Sequence, residues 1–320
     1  ANHFKTEHFE QVMNAGDIRW SLPKLVYHLE DLRVGMSYPS YYISRLASKF
    51  VKVCLQGTGG DELFGGYPWR YYKVFDSISQ KDFFDQYYDF WQRLVPDQEK
   101  EELFTKEVFD KIDVKEPRRV FERVFTFNDK LKYNTPEQHI NNSLYFEIKT
   151  FLPGLFLVGD KLAMAHGLEE RFPFMDNDLV DFAMKIPVKH KLGNLTKEIA
   201  QIDENQTAEK KKTISYREFD DGKNVLRKAM SDFIPDEIIN RKKQGFSAPD
   251  ESWYRGENAN YVKELLLVDD TISRKYINKA YIHKIVKEHI DENINHRLLI
   301  WSFMNFEWWC RIFLKKEKVV

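Results

Sequence analysis

The sequence predicts an α/β fold, with a piece of parallel sheet near the N-terminus and a largely helical remainder. Three observations carry this prediction. A short apolar run, Val51–Leu55, follows segments of helical periodicity. It leads directly into the glycine-rich stretch LQGTGGDELFGGY at 55–67, and helix, strand and glycine loop in succession is the rhythm of a parallel α/β sheet. From about residue 67 to 150 the chain is rich in aromatics and reads as helix, without a strand pattern.

Taken in order, Ser21 and Pro23 open a predicted helix with Leu22, Leu25, Val26 and Leu29 on one face. Pro39 and Ser40 open a second, with Ile43, Leu46, Ala47 and Phe50 at the same spacing. Val51–Leu55 is then read as a buried strand. Gly57, Gly59 and Gly60 supply a turn, and Asp61 and Glu62 begin the next element. Further on, DNDLVDFAMKIP at 176–187 predicts a short helix with an acidic start and a proline stop. Residues 192–223 are polar, include AEKKKT, and read as a solvated surface excursion. The tail LLIWSFMNFEWWCRIFLKK is apolar on nearly every face, which predicts a buried final helix or a contact surface. Glu307 and Arg311 stand at i,i+4 in it, a small favourable pair. No internal repeat or low-complexity tract is present.

Composition excludes several function classes. The chain has 320 residues, 42% hydrophobic and 31% charged, with a formal charge of −1. A balance that close to neutral offers no electrostatic case for nucleic acid or a membrane surface. Its apolar stretches, such as FLPGLFLV at 151–158, are too short to span a bilayer. Two cysteines, Cys54 and Cys310, read as small buried hydrophobes in a reduced, cytoplasmic compartment. No CxxC or Cys/His spacing suggests zinc. The opening ANHFKTEHFE has neither an initiator Met nor a signal-peptide pattern. The chain reads as a fragment or a processed piece, and the neighbouring strands that a parallel sheet needs are expected either in weak patterns of this chain or upstream of Ala1.

The glycine loop has a chemical reading. Backbone N–H groups in such a turn can converge on an anion because no Cβ blocks the approach. A helix N-terminus just beyond adds positive dipole. Carboxylates at that place would repel phosphate unless a cation bridges them, and Mg²⁺ binds one or two carboxylates together with phosphate oxygens. A nucleotide phosphate carried with Mg²⁺ accounts for both glycines and acids. On local physics alone, Asp61 as a helix N-cap and Gly65–Gly66 as a packing turn account for the stretch equally well. A Rossmann fingerprint fits less well, because Glu62 stands where the third glycine should be.

Three long stretches decide between these readings. GTGGDELFGGYPWRYY at 57–72, LPGLFLVGDKLAMAHGLEERFPFMDNDLVDFAMKIP at 152–187 and GKNVLRKAMSDFIPDEIINRKKQGFSAPDESWYRG at 222–256 resemble, in order, three blocks of the asparagine synthetase family. This is the ATP-dependent amide-forming domain shared with β-lactam synthetase. The resemblance runs from about residue 20 to the end. It implies an ATP-pyrophosphatase-like fold, and residues 1–320 as a single synthetase domain that lacks its first strand or strands, the SGGxDS loop and the N-terminal glutaminase domain. It implies ATP and Mg²⁺, adenylation of a carboxylic acid such as aspartate, and attack by ammonia drawn from glutamine. A homodimer stays open, and the fragment alone is expected to be inactive.

Residue by residue, Gly57, Gly59, Gly60 and Asp61 match the nucleotide loop, with Asp61 matching the Mg²⁺-holding acid. Glu62 then supports the loop. Lys243, the last of Arg241-Lys242-Lys243, matches the lysine that stabilises developing negative charge; Gln244, Gly245 and Phe246 form the turn that places it. Asp160 and Lys161 match the D-R/K pair of the second block, and Glu169 and Arg171 its E-x-R, as substrate-side or structural residues. An internal salt bridge is expected for the latter two, and a packing role for His166. The chain also departs from the family. Thr58 occupies the position of a catalytic glutamate or tyrosine, and a threonine hydroxyl is no general base near neutral pH without activation. Gly159 stands where many relatives have Glu. Besides aspartate, the open alternatives are a sugar acid, a β-lactam-type cyclisation, and a non-catalytic relative.

Overall fold

The computed structural model describes residues 1–32, 37–193, 222–241, 250–292 and 294–319. Helices dominate, with one two-stranded parallel sheet among the described residues. In the sheet, β1 (Val53–Leu55) pairs with β2 (Glu169–Arg171), matching Val53 to Glu169, Cys54 to Glu170 and Leu55 to Arg171. Gln56 N–H extends the ladder by donating to the Arg171 carbonyl at 2.8 Å.

The expected buried strand is shorter and more open than its apolar run suggested. Val53 and Leu55 are 51% and 74% exposed. A three-residue strand points alternate side chains to opposite faces. Here only the Cys54–Glu170 face is covered, by the helix Leu152–Met164, so Val53 and Leu55 face out. Cys54 is accordingly half-buried rather than buried, while Cys310 is fully buried as expected.

The first helix also begins earlier than its proline implied. It spans Asp17–Leu29 and carries Pro23 in its interior. Ile18 extends the apolar face of Leu22, Leu25, Val26 and Leu29 by one turn, and burial of all five outweighs the lost backbone bond at Pro23. Ser21 is no cap; its hydroxyl donates to the Asp17 carbonyl at 2.8 Å. The second helix, Tyr38–Ala47, has proline in its first turn as expected but buries Tyr38, Tyr41 and Ser44. Ile43 and Phe50 are exposed, so the period was legible and the face was not.

These two helices join Ala259–Leu266, Lys279–Ile290 and the final helix Arg297–Trp309 around Trp301, Ile300 and Met304, all inaccessible to solvent. The final helix is buried, as its apolar sequence predicted. A second, aromatic cluster fills the helical region at 67–150. Phe83, Phe84, Tyr87, Phe121, Phe125 and Phe146 interlock there, with edge-to-face pairs such as Phe83–Phe125 at 5.4 Å. The helix Asn177–Lys185 is capped by Asp176, whose carboxylate accepts from Leu179 N–H, and it stops before Pro187. Most of the polar excursion at 192–223 lies outside the described residues.

Candidate active site

The loop after β1 is built by glycines with separate tasks. Gly59 adopts φ +100°, and a Cβ there would overlap the Met175 methyl. Gly60 packs on the Phe174 ring, where a Cβ would lie 3.1 Å away. The single-turn helix Gly60–Phe64 follows, seated by Leu63 and Phe64 on Ala183 and Ile186. Gly65, at φ +75°, ends it. Gly66 then approaches so closely that any Cβ would occupy the place of the Asp61 carboxylate. Gly59 rather than Asp61 takes the N-cap position, and no side chain caps that end, so the simple N-cap reading of Asp61 does not hold.

Asp61 is half-buried and its Oδ1 lies 3.0 Å from the Lys223 ammonium. Lys223 reaches it because Gly222–Lys223 docks on the far end of the loop helix. Lys223 N–H donates to the Phe64 carbonyl at 3.1 Å, in a left-handed conformation of φ 62°. Gly222 lies against the Gly65 carbonyl with no room for a side chain. Lys223 was not singled out from the sequence. The signal was the Gly-Lys pair that opens the third matched block.

Beneath the loop sits a buried ionic group. Glu62 is 1% exposed, and burial pushes its carboxyl above the usual range, with Asp61 adding to the push. The Tyr67 hydroxyl donates to it at 3.4 Å. The Arg70 guanidinium lies 3.9 Å from the Tyr67 ring centroid and donates to buried Glu147 at 3.4 Å. Tyr71 donates to the same carboxylate at 3.2 Å. This ties the loop to the π-helical turn Glu147–Phe151, and it makes Glu62 a support, as expected.

On the strand side, the half-buried Thr58 donates its hydroxyl to Gln56 Oε1 at 3.3 Å, and Gln56 Nε2 donates to Glu170 Oε1. Asp160 is exposed near Glu170, and its charge adds to the burial that raises the Glu170 carboxyl. Lys161 is committed elsewhere: its ammonium donates to the Leu29 carbonyl at 2.7 Å and to Glu30 at 2.8 Å, pinning the Leu152–Met164 helix to the end of the first helix. Glu169 and Arg171 form the expected ion pair, at a well-exposed place. His166 packs its ring on Tyr41 at 4.5 Å. Lys243 and Gln244–Phe246 lie outside the described residues.

The structure thus gathers Gly57–Asp61 and Thr58 at the end of β1. It adds Lys223, Gln56 and Glu170, and assigns Lys161 to packing. Among the described residues no group of three or more His, Cys, Asp or Glu could hold a metal. A protein-only Mg²⁺ cage is therefore not formed by them. One carboxylate beside phosphate oxygens is the usual Mg²⁺–nucleotide arrangement; Asp61 is the carboxylate available for it, with its Oδ1 buried between Gly66 and Lys223.

A parallel strand followed by a glycine-rich turn and a short helix, with Asp61 on the helix paired to Lys223, defines an α/β protein. Residues 1–311 match the family model described as asparagine synthase, and the chain belongs to that family. It is 27% identical over 346 aligned positions to asparagine synthetase [glutamine-hydrolyzing] 1 of Bacillus subtilis, covering 97% of this chain and 48% of that protein. It is 24% identical to a putative asparagine synthetase [glutamine-hydrolyzing] of Mycobacterium bovis, covering 98% of this chain and 47% of that protein. An amidase of Gibberella zeae, chry2, is 26% identical over 68% of this chain and 35% of its own length. The chain spans about half the length of the curated relatives it matches first. No helix among the described residues is long and apolar enough to cross a membrane.

Proposed function

We propose that this chain is the synthetase domain of an ATP-dependent carbon–nitrogen ligase of the glutamine-hydrolysing asparagine synthetase type. A carboxylate oxygen of the acceptor, aspartate or another acid, attacks the α-phosphorus of ATP and pyrophosphate leaves. Ammonia, derived from glutamine, then attacks the acyl carbon. The bond to AMP breaks with its electron pair, and the nitrogen sheds a proton as the amide forms. Backbone N–H groups of Gly57–Gly60 hold phosphate oxygens. Asp61 holds Mg²⁺, which when bound neutralises phosphate charge, and Lys243 stabilises charge at the reacting centre.

The observation that carries the reading is the placement of Asp61. Gly66 clears its space, and the Lys223 ammonium lies 3.0 Å from its Oδ1. A loop kept only for packing has no need of a half-buried acid set against a lysine. Thr58 is the observation that favours an acceptor other than aspartate, since it supplies no base of its own.

ATP–pyrophosphate exchange tests the proposal. The complete protein is assayed with aspartate and a panel of sugar acids. Exchange that needs one particular acid, and that falls at least about a hundredfold in Lys243→Ala, is the expected result. Exchange unaffected by that substitution removes the mechanism, and no exchange with any carboxylate removes the ligase reading.

A further inference from the structure

Asp61 and Lys243, the two charged groups of the proposed reaction, stand far apart in the sequence. Among the described residues one side chain ties the neighbourhood of the first to the approach to the second. Arg227 lies half-buried on the short helix Asn224–Ala229. Its Nε donates to the Gly222 carbonyl at 3.0 Å. One terminal nitrogen donates to the Ile239 carbonyl, and both terminal nitrogens reach the Arg241 carbonyl at 3.4 Å. Carbonyls from two separate stretches of backbone therefore converge on one guanidinium.

The Gly222 end is fixed to the glycine loop. Gly222 lies against the Gly65 carbonyl, Lys223 N–H donates to the Phe64 carbonyl, and the Lys223 ammonium meets Asp61. Val225 and Leu226 pack on Leu63, Phe64, Ala183 and Ile186 beside it. The other end is the exit of the helix Asp236–Ile239. The last carbonyls of any helix lack a partner within it, so an arginine could serve merely to cap that turn. A cap has no need of the Gly222 carbonyl, however. Holding carbonyls of two stretches at once takes a planar fork of several donors, which a lysine ammonium does not offer. Lys243 follows Arg241 by two residues, a reach of at most about 7 Å.

We propose that Arg227 is a positioning residue that sets Lys243 in register with the Asp61–Lys223 pair, by clamping the backbone just before Lys243 to the segment docked on the glycine loop. The proposal rests on the ligase reading above and deepens it. Phosphate charge is met at Asp61, and charge developing at the reacting centre is met at Lys243, so the rate depends on the distance between them. A misplacement of about 1 Å can cost about a hundredfold in rate. The Arg227 guanidinium is engaged by backbone carbonyls and acts through Lys243.

The experiment is a double-mutant cycle, read by ATP–pyrophosphate exchange in the complete protein with the acid of the panel above that supports exchange. Rates are taken where urea titration shows each variant fully folded, so lost stability alone cannot lower them. Arg227→Met removes the fork and should lower kcat at least about thirtyfold, with the KM for ATP within about threefold of wild type. On the Lys243→Ala background the same substitution should cost less than about threefold, because the group it places is gone. Arg227→Lys keeps a charge that can cap the Asp236–Ile239 turn but not the fork, and should still lose at least about fivefold in kcat. If Arg227→Met does not fold, Arg227→Lys on both backgrounds decides. Equal losses with and without Lys243, a wild-type kcat in Arg227→Lys, or a KM for ATP that rises in step with the fall in kcat each overturns the proposal while leaving the ligase reading intact. Exchange that Lys243→Ala leaves unchanged, or exchange with no acid at all, overturns the ligase mechanism and this proposal with it.

Discussion

Gly66 contributes only space, and that space holds the Asp61 carboxylate. Gly66→Ala would push the carboxylate off Lys223 without touching the core. The expected outcome is a drop of at least about tenfold in pyrophosphate exchange, with a stability loss no larger than about 1–3 kcal/mol by denaturant titration. Gly57→Ala is the stability control. A Cβ there meets nothing within 4 Å, so its midpoint should stay within about 0.5 kcal/mol of wild type. Unfolding of Gly66→Ala comparable to a core truncation would show that the turn serves packing. At this scale the sequence was legible where chemistry and spacing are local. Gly57, Gly59, Gly60 and Asp61 could be singled out within five residues. Gln56–Glu170, separated by 114 positions, could not, because nothing in either neighbourhood betrays the partner. Lys161, read as substrate-side or structural, donates its ammonium to a carbonyl 132 positions distant, a contact its neighbourhood does not announce.

Among the elements, periodicity identified the helices well and their ends poorly. The Asn177–Lys185 helix was readable to within two residues because Asp176 and Pro187 act through the backbone itself. The buried face of Tyr38–Ala47 was not, because Ser44 rather than Ile43 meets its neighbours there. In the final helix, Glu307 and Arg311 read as a small favourable pair. The pair is present, with Arg311 Nε 2.7 Å from Glu307, yet Glu307 is wholly buried. Its carboxylate also accepts from Ile272 N–H at 3.2 Å and Ser273 N–H at 2.9 Å, capping the short turn Ile272–Lys275 against the final helix. Glu307→Ala would leave two buried donors and a guanidinium without their acceptor. It should cost about 3–5 kcal/mol. Glu307→Gln keeps one acceptor oxygen and should cost clearly less. Equal midpoints for both variants in chemical denaturation would show that packing, not the carboxylate, holds the turn.

For the whole molecule, two buried bases contribute to how stability follows pH. Burial, with Arg255 and His296 adding to it, pushes His289 down to about 4. Unfolded, it titrates near 6.5, so between those values the unfolded chain binds the extra proton. Stability is therefore full above pH 6.5 and falls as pH drops toward 4, by roughly 3 kcal/mol from this group. Lys191, 1% exposed, is pushed down to about 8 by burial. The unfolded chain again binds more protons, now between pH 8 and 10.5, so stability rises with pH across that window. Below pH 8 the buried ammonium is a standing penalty of the same order, roughly 3 kcal/mol. Tyr71 and Tyr87, raised well above 10 by burial, act in the opposite sense once unfolded tyrosines ionise near pH 10. The bare profile would thus blur the lysine's contribution, and differences between variants isolate it. Lys191→Met should be more stable than wild type at pH 7, and its advantage should shrink steadily from pH 8 to 10. His289→Gln, whose amide oxygen can still accept from the His296 N–H that now meets His289 Nδ1 at 3.0 Å, should flatten the loss between pH 6.5 and 4. Urea midpoints at half-unit pH steps measure both. A constant gap between Lys191→Met and wild type across pH 7–10 would mean that Lys191 keeps an ordinary ammonium in the folded chain. The packing around Val188 and Leu192 would then have to open enough to hydrate it.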